Sequence, residues 1–310
     1  MLSSDVGTGK SVFLDWFAVE LVNKTRAVPI VMPCETFERR NPHTINDMIR
    51  IVVEHLLGDF SSSDLETFIR EAAQKGELVF LFDGLDQIGS GKPSTLVTNV
   101  LSTIGRHPVL ITSRPSAVLA FEDHAKLDFL RLQPFSTKDQ RSYFGAHYTK
   151  AQALCTTGPD LTRVPMLAYM VRELVALEHR DEALTRTELY DRFINHILSG
   201  HEPNRPITFD NPDLTHEVQH ELQRLAYTTL AADTPSIQKV PISAYPNDAR
   251  VKRVELSTFG LLNRIVDRGE QALFFTHQSF QEFLAAKYAA DHPECVDKIL
   301  TERWHPKWAE

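Results

Sequence analysis

The sequence predicts an α/β domain built on a parallel sheet, then an all-helical segment, then helices that carry a β-hairpin. Three observations predict it. Short apolar runs alternate with helix-period segments as far as Phe135. A glycine-rich turn ending in Lys10-Ser11 leads into the first helix. Beyond Phe135 the alternation stops and helical periodicity dominates, until a hairpin signal at Asp267-Arg268-Gly269-Glu270.

The bulk properties set limits. A length of 310 residues allows two or three domains, and 42% hydrophobic with 24% charged residues is an ordinary globular balance. The formal charge of -8 comes without a basic block, which argues against a general nucleic-acid surface. Cys34, Cys155 and Cys295 are isolated and form no CxxC, as expected in a reducing compartment. No apolar run is long enough to span a bilayer, and the first residues lack a signal-peptide core. The expectation is a cytoplasmic protein with no nucleic-acid or membrane partner.

Each element follows from its pattern. SVFLDWFAVELVN (11–23) has helical spacing, and AVPIVMP (27–33) reads as a buried strand. Residues 44–57 and 63–76 are helical, the second closing at Gly76. LVFLFD (78–83) is a strand ending in an acid, VTNVLSTIG (97–105) a helix, and PVLITSRP (108–115) and LDFLRLQPF (127–135) further strands. STKDQRSYFGAHY (136–148) opens with a serine cap, and helices follow at 162–178 and 185–200. The Pro- and Asn-rich stretch 200–213 is a candidate linker. Residues 214–232 and 250–261 read as helices, 261–277 as a hairpin and 278–290 as the last helix; helices plus a hairpin suggest a winged helix. The domain boundaries expected are 1–135, 136–203, 204–291 and 292–310.

Two motifs carry chemistry. The pattern GxxxxGK[ST] is matched by Ser4-Asp5-Val6-Gly7-Thr8-Gly9-Lys10-Ser11, with Ser4 in place of the leading glycine. Gly7 and Gly9 let the backbone N–H groups around Thr8 turn toward phosphate, and the positive end of the helix faces the same anion. Lys10 reaches the β- and γ-phosphates, and the Ser11 hydroxyl is a Mg²⁺ ligand. The second motif is the strand ending in Asp83, which delivers a carboxylate to the Mg²⁺ side of the nucleotide; Asp86 lies three residues on. A second lysine turn, Gly89-Ser90-Gly91-Lys92-Pro93, lacks the hydroxyl after lysine and reads as a loop.

FLFDGLDQI (80–88) resembles the acidic motif of the NACHT nucleotide-binding domains, in the STAND class of P-loop switch ATPases. ITSRP (111–115), RVPMLAYM (163–170) and LFFTHQSFQEFLAAKYAA (273–290) resemble further motifs of that family in the same order. The resemblance implies the strand order 5-1-4-3-2 and a nucleotide site binding ATP or ADP with Mg²⁺. It makes Arg114 a γ-phosphate sensor, Pro165 a packing partner of adenine and His277 a contact to the β-phosphate of ADP. It assigns Ser11 and Asp83 to the metal, leaves Asp86 as the possible base, and implies self-association through the NTPase module. Effector and sensor domains are expected in flanking sequence, with a role in defence or stress signalling. The family usually has an acid where this chain has Gln87, which can orient a water but not take its proton, so a non-hydrolysing scaffold is an alternative. A ring-forming motor of the AAA type is a rival that the winged-helix resemblance disfavours. Because few residues precede the loop, strand 1 is expected to be largely missing and the chain truncated at both ends.

HEVQH (216–220) matches the zinc-peptidase pattern, with Glu217 as base. Here Leu214, Val218, Leu222 and Leu225 form the apolar face, so His216 and His220 are expected on an exposed one. The zinc peptidase is therefore a remote alternative.

Overall fold

The computed structural model describes residues 1–57, 63–88, 93–118, 127–177, 183–198, 212–231, 239–241, 261–267 and 270–301. They fall into two compact units, Met1–Pro134 and Phe135–Glu310.

The first unit holds a five-stranded parallel sheet in the order β2-β3-β4-β1-β5, with β1 Leu2–Ser3, β2 Val28–Pro33, β3 Leu78–Asp83, β4 Val109–Ser113 and β5 Leu130–Arg131. Helix α1 (Lys10–Lys24) packs on β2 and β3. It is followed in the chain by α2 (Cys34–Arg40), α3 (Ile45–Leu57), α4 (Ser63–Lys75), α5 (Pro93–Ile104) and α6 (Pro115–Val118). In β3 Phe80, Leu81 and Phe82 are consecutive and all buried, as a parallel strand covered on both faces requires. Phe82 meets Phe37 of α2 edge-on, with ring centroids 5.5 Å apart.

The slot expected to lack strand 1 is filled by β1. It is two residues long, pairs with Thr112 and Ser113 on one side and Leu130 and Arg131 on the other, and buries Leu2. The strand expected over 127–135 is correspondingly short. Its neighbour offers only two residues to pair with, so the ladder ends at Leu130–Arg131, flanked by Leu130 N–H to Met1 O at 2.8 Å and Leu132 N–H to Ser3 O at 3.0 Å. Helix α2 has no apolar stripe to announce it; Phe37 is its one aromatic anchor. Pro93 of the second lysine turn opens α5, a position suited to proline; residues 89–92 lie outside the described residues.

The second unit is built on α7 (Thr137–Phe144), α8 (Tyr148–Leu154), α9 (Pro165–Leu177), α10 (Arg186–Leu198) and α11 (Pro212–Ala231), then β6 (Lys239–Pro241), β7 (Leu262–Asp267), β8 (Glu270–Phe275), α12 (Gln278–Asp291) and α13 (Pro293–Thr301). Ser136 and Asp139 form a reciprocal capping box at the start of α7. The helix expected to run to residue 148 breaks at Gly145, whose φ is 52°, into a 3₁₀ turn before α8. The hairpin is present, Asp267 opposite Glu270, and β6 adds a third antiparallel strand in the order β6-β8-β7. Pro212 and Asp213, placed in the expected linker, open α11; the rest of that linker, 200–211, lies outside the described residues, as does the expected helix at 250–261 except for buried Leu261. One hydrophobic core runs from Phe144 to Ala289, so the segments on either side of residue 204 share it. Among the described residues no helix is long and apolar enough to cross a membrane.

All three cysteines are free. Burial pushes the Cys155 thiol up to about 12, and burial, then the nearby Asp83 and Asp86, push Cys34 up as well. Native protein at pH 8 is expected to expose one fast thiol, Cys295, to an aromatic disulfide reagent, and all three after denaturation; fast reaction of three thiols in the native state would contradict this packing. Phe82→Ala is expected to cost about 3–5 kcal/mol in chemical denaturation, through lost transfer energy and the cavity left against Phe37.

Candidate functional site

The site is assembled where β1, β3 and β4 end and α1 begins. Gly7 and Gly9 sit at φ 74° and 90°, in the left-handed region that glycine tolerates best. A side chain at Gly9 would meet nothing within 4 Å, so the backbone angle alone demands glycine there. Ser4 needs no such freedom: Asn41 is the non-glycine residue with positive φ among the described residues. Buried Ser4 instead joins its hydroxyl to that of Thr8, and Thr8 donates to Asp5 O at 2.7 Å, which closes the loop on itself.

Gly9 is the N-cap of α1 and no side chain caps the helix, nor does its first turn hold an acid. The helix start therefore presents N–H groups and a positive dipole end without a side-chain anion to answer them. Lys10 folds over the loop, its Nζ donating to Ser4 O at 2.7 Å and Asp5 O at 3.1 Å. Burial pulls its pKa below the ordinary lysine value; Asp86 opposes that, Arg114 adds to it, and Asp83 and Asp5 oppose it further.

Asp83 joins the loop to the sheet. Its Oδ2 accepts from Ser11 Oγ at 2.6 Å and its Oδ1 accepts from the Thr112 hydroxyl. Thr112 Oγ1 in turn accepts from Gly84 N–H at 2.9 Å. Gly84, at φ 74°, turns the chain into the 3₁₀ segment Leu85–Gln87. Asp86 is engaged at both oxygens by Arg114: Oδ1 by the backbone N–H at 3.0 Å and Oδ2 by Nε at 2.9 Å, the side chains 8% and 16% exposed. That burial makes it a structural ion pair rather than a surface one.

The structure thus brings together Gly7, Thr8, Gly9, Lys10, Ser11, Asp83, Asp86 and Arg114. Pro165 and His277 lie in the second unit. Pro165 is the first residue of α9. His277 caps α12, its Nδ1 accepting from Ser279 N–H at 3.2 Å and lying 2.8 Å from Ser279 Oγ. These two helix starts adjoin, because Ser279 Oγ donates to Met166 Sδ at 3.5 Å. The residue that sequence reasoning passed over is Thr112. A threonine in a strand is an ordinary β-former; the available signal was a hydroxyl at a strand end beside a strand ending in an acid.

A hydroxyl and a carboxylate, Ser11 and Asp83, are hard oxygen donors of the kind Mg²⁺ takes, and Mg²⁺ on a nucleotide draws its remaining ligands from phosphate and water. The donor set fits. On the helix that carries HEVQH, Val218 and Leu222 are buried in the core while His216 and His220 are exposed. His220 faces the rings of Tyr288 and His292 at 5.9 and 6.1 Å. Among the described residues no three His, Cys, Asp or Glu side chains stand together as a metal-holding group.

A parallel sheet with β1 held between β4 and β5, a glycine loop feeding an uncapped helix, and an acid at the end of β3 define a P-loop NTPase core. Residues 2–152 match the NACHT domain family. No curated protein matches the sequence. Among solved structures, a signal transduction ATPase with numerous domains (STAND) that carries a tetratricopeptide repeat sensor, from Pyrococcus horikoshii, is similar at 14% identity and a TM-score of 0.45 over 96% of this chain. This chain spans 41% of that protein's length. The Aeropyrum pernix ORC1 protein in complex with DNA is similar at 12% identity and a TM-score of 0.38, covering 96% of this chain and 87% of its own. For CDC6P from Pyrobaculum aerophilum the values are 12% and 0.36, covering 97% and 87%.

Gly9→Ala is expected to lower stability by about 1–2 kcal/mol, the cost of a left-handed L-residue, and no more, since its methyl meets open space. Urea denaturation measures it; a loss beyond about 4 kcal/mol, the scale of a core truncation, would show that the loop is packed differently.

Proposed function

We propose that this chain is the nucleotide-binding core of a NACHT-type signalling ATPase, a switch controlled by ATP and ADP. The observation that carries the reading is the 2.6 Å hydrogen bond between Ser11 and Asp83, two residues 72 positions apart, at the foot of a helix with no side-chain cap. It joins the two halves of a Mg-nucleotide site.

In this reading the backbone N–H groups of Gly7, Thr8 and Gly9 and the Lys10 ammonium hold the phosphates. Ser11 and Asp83 would hold Mg²⁺, which when bound would supply neutralisation of phosphate charge. Arg114 answers the γ-phosphate. The family resemblance alone adds Pro165 as a packing partner of adenine and His277 as a contact to the β-phosphate of ADP, on helical (136–203) and winged-helix (204–291) domains. Exchange of ADP for ATP releases His277 and frees the module for self-association in cytoplasmic defence or stress signalling, with effector and sensor domains in flanking sequence. Hydrolysis is slow: water attacks the γ-phosphorus, the bond to the ADP oxygen breaks, and the proton of the water needs an acceptor. Asp86 is that acceptor, but both of its oxygens are engaged by Arg114. The same engagement favours a second reading, a scaffold that binds nucleotide without hydrolysing it.

Equilibrium binding of ATP and ADP with Mg²⁺ is expected at micromolar Kd for the full chain and lost in Lys10→Ala. A folded wild-type chain that binds neither nucleotide would overturn the switch. Turnover then separates the two readings. Measurable hydrolysis by the wild-type chain, raised in Gln87→Glu, supports the ATPase, and none in either supports the scaffold.

A further inference from the structure

We infer that Thr112 is a positioning residue for the divalent-cation site, setting the orientation of Asp83 through a hydroxyl relay. The inference rests on the Mg-nucleotide reading and names a residue that reading does not use.

Thr112 is fully buried at the end of β4, one strand over from Asp83. A hydroxyl has one proton to give and lone pairs to accept with. Here the proton goes to Asp83 Oδ1 and a lone pair takes the Gly84 N–H. The two oxygens of Asp83 are thereby divided: Oδ1 faces β4 and Oδ2 faces Ser11. Rotation of the carboxylate away from Ser11 breaks a hydrogen bond on the β4 side. The bond from Gly84 also anchors the turn that leads to Asp86, so one hydroxyl holds both the acid and the backbone beyond it. Charge at the site is unchanged by Thr112, so its effect falls on the geometry of the cation ligands and not on phosphate attraction. The Lys10 contacts and the uncapped start of α1 do not involve it.

The test is ADP binding by the full chain, in EDTA and in excess Mg²⁺, for wild type, Thr112→Val and Thr112→Ser. Valine keeps the shape and removes the hydroxyl; serine keeps the hydroxyl. Thr112→Val is expected to hold the affinity measured in EDTA and to lose about tenfold to a hundredfold of the gain that Mg²⁺ gives, the usual loss when a group orienting a metal ligand is removed. Thr112→Ser is expected to restore that gain. Should the valine variant not fold, Thr112→Ala, smaller and equally without hydroxyl, is read the same way. A full Mg²⁺ gain in Thr112→Val, or equal loss with and without Mg²⁺ that serine does not rescue, overturns the positioning role. A wild type that binds no ADP overturns the nucleotide reading and this inference with it, a result no variant outcome resembles.

Discussion

One carboxylate ties the α/β unit together at its working end. Asp83 closes β3, takes a hydrogen bond from the first turn of α1 and another from the end of β4. The loop, the helix and two strands thus share an atom group, and each is positioned relative to the others through it. The arrangement depends on the apolar strand behind it. Phe80, Leu81 and Phe82 have no water-facing register available, so Asp83 is the first residue at which β3 can emerge from the core. A slip of one residue along the strand would either draw the acid into the core or push Phe82 out of it. The hydrophobic run therefore fixes where the charge stands, and the charge organises what surrounds it.

The sheet shows how little strand is enough when both sides are paired. Leu2 and Ser3 are the whole of β1, yet they carry hydrogen bonds to β4 and β5 and set the point at which the glycine loop departs. Ser4 N–H continues the ladder to Ser113 O at 3.3 Å. A serine where the motif has glycine is then intelligible. With no positive φ demanded, its side chain is free to bond Thr8 and brace the loop from inside.

The sequence was most legible where one residue type does one job. Glycines before a lysine, an apolar run ending in an acid, and a serine followed by an acid three residues on all announced themselves, because local chemistry dictates each. It was least legible where a partner decides. The length of β5 is set by β1, not by LDFLRLQPF itself. Helix α2 is held by one ring, Phe37, against β3, which no periodicity could reveal. Thr112 reads as a common strand residue until Asp83 stands beside it. The pairing of Asp86 with Arg114 spans two strand ends and has no signature in either segment.

That last pair constrains any chemistry at the site. A buried carboxylate with its guanidinium in place is compensated; with the guanidinium drawn away Asp86 keeps the Arg114 backbone N–H and the nearby Lys10 charge but loses its ion-pair partner, a costly change. Arg114 therefore cannot serve a phosphate and Asp86 independently. If a γ-phosphate takes the guanidinium, Asp86 loses its ion-pair partner and keeps the Arg114 backbone N–H on Oδ1. If the guanidinium stays, Asp86 is held in place and its lone pairs are partly committed. The two roles that sequence reasoning assigned separately are thus coupled.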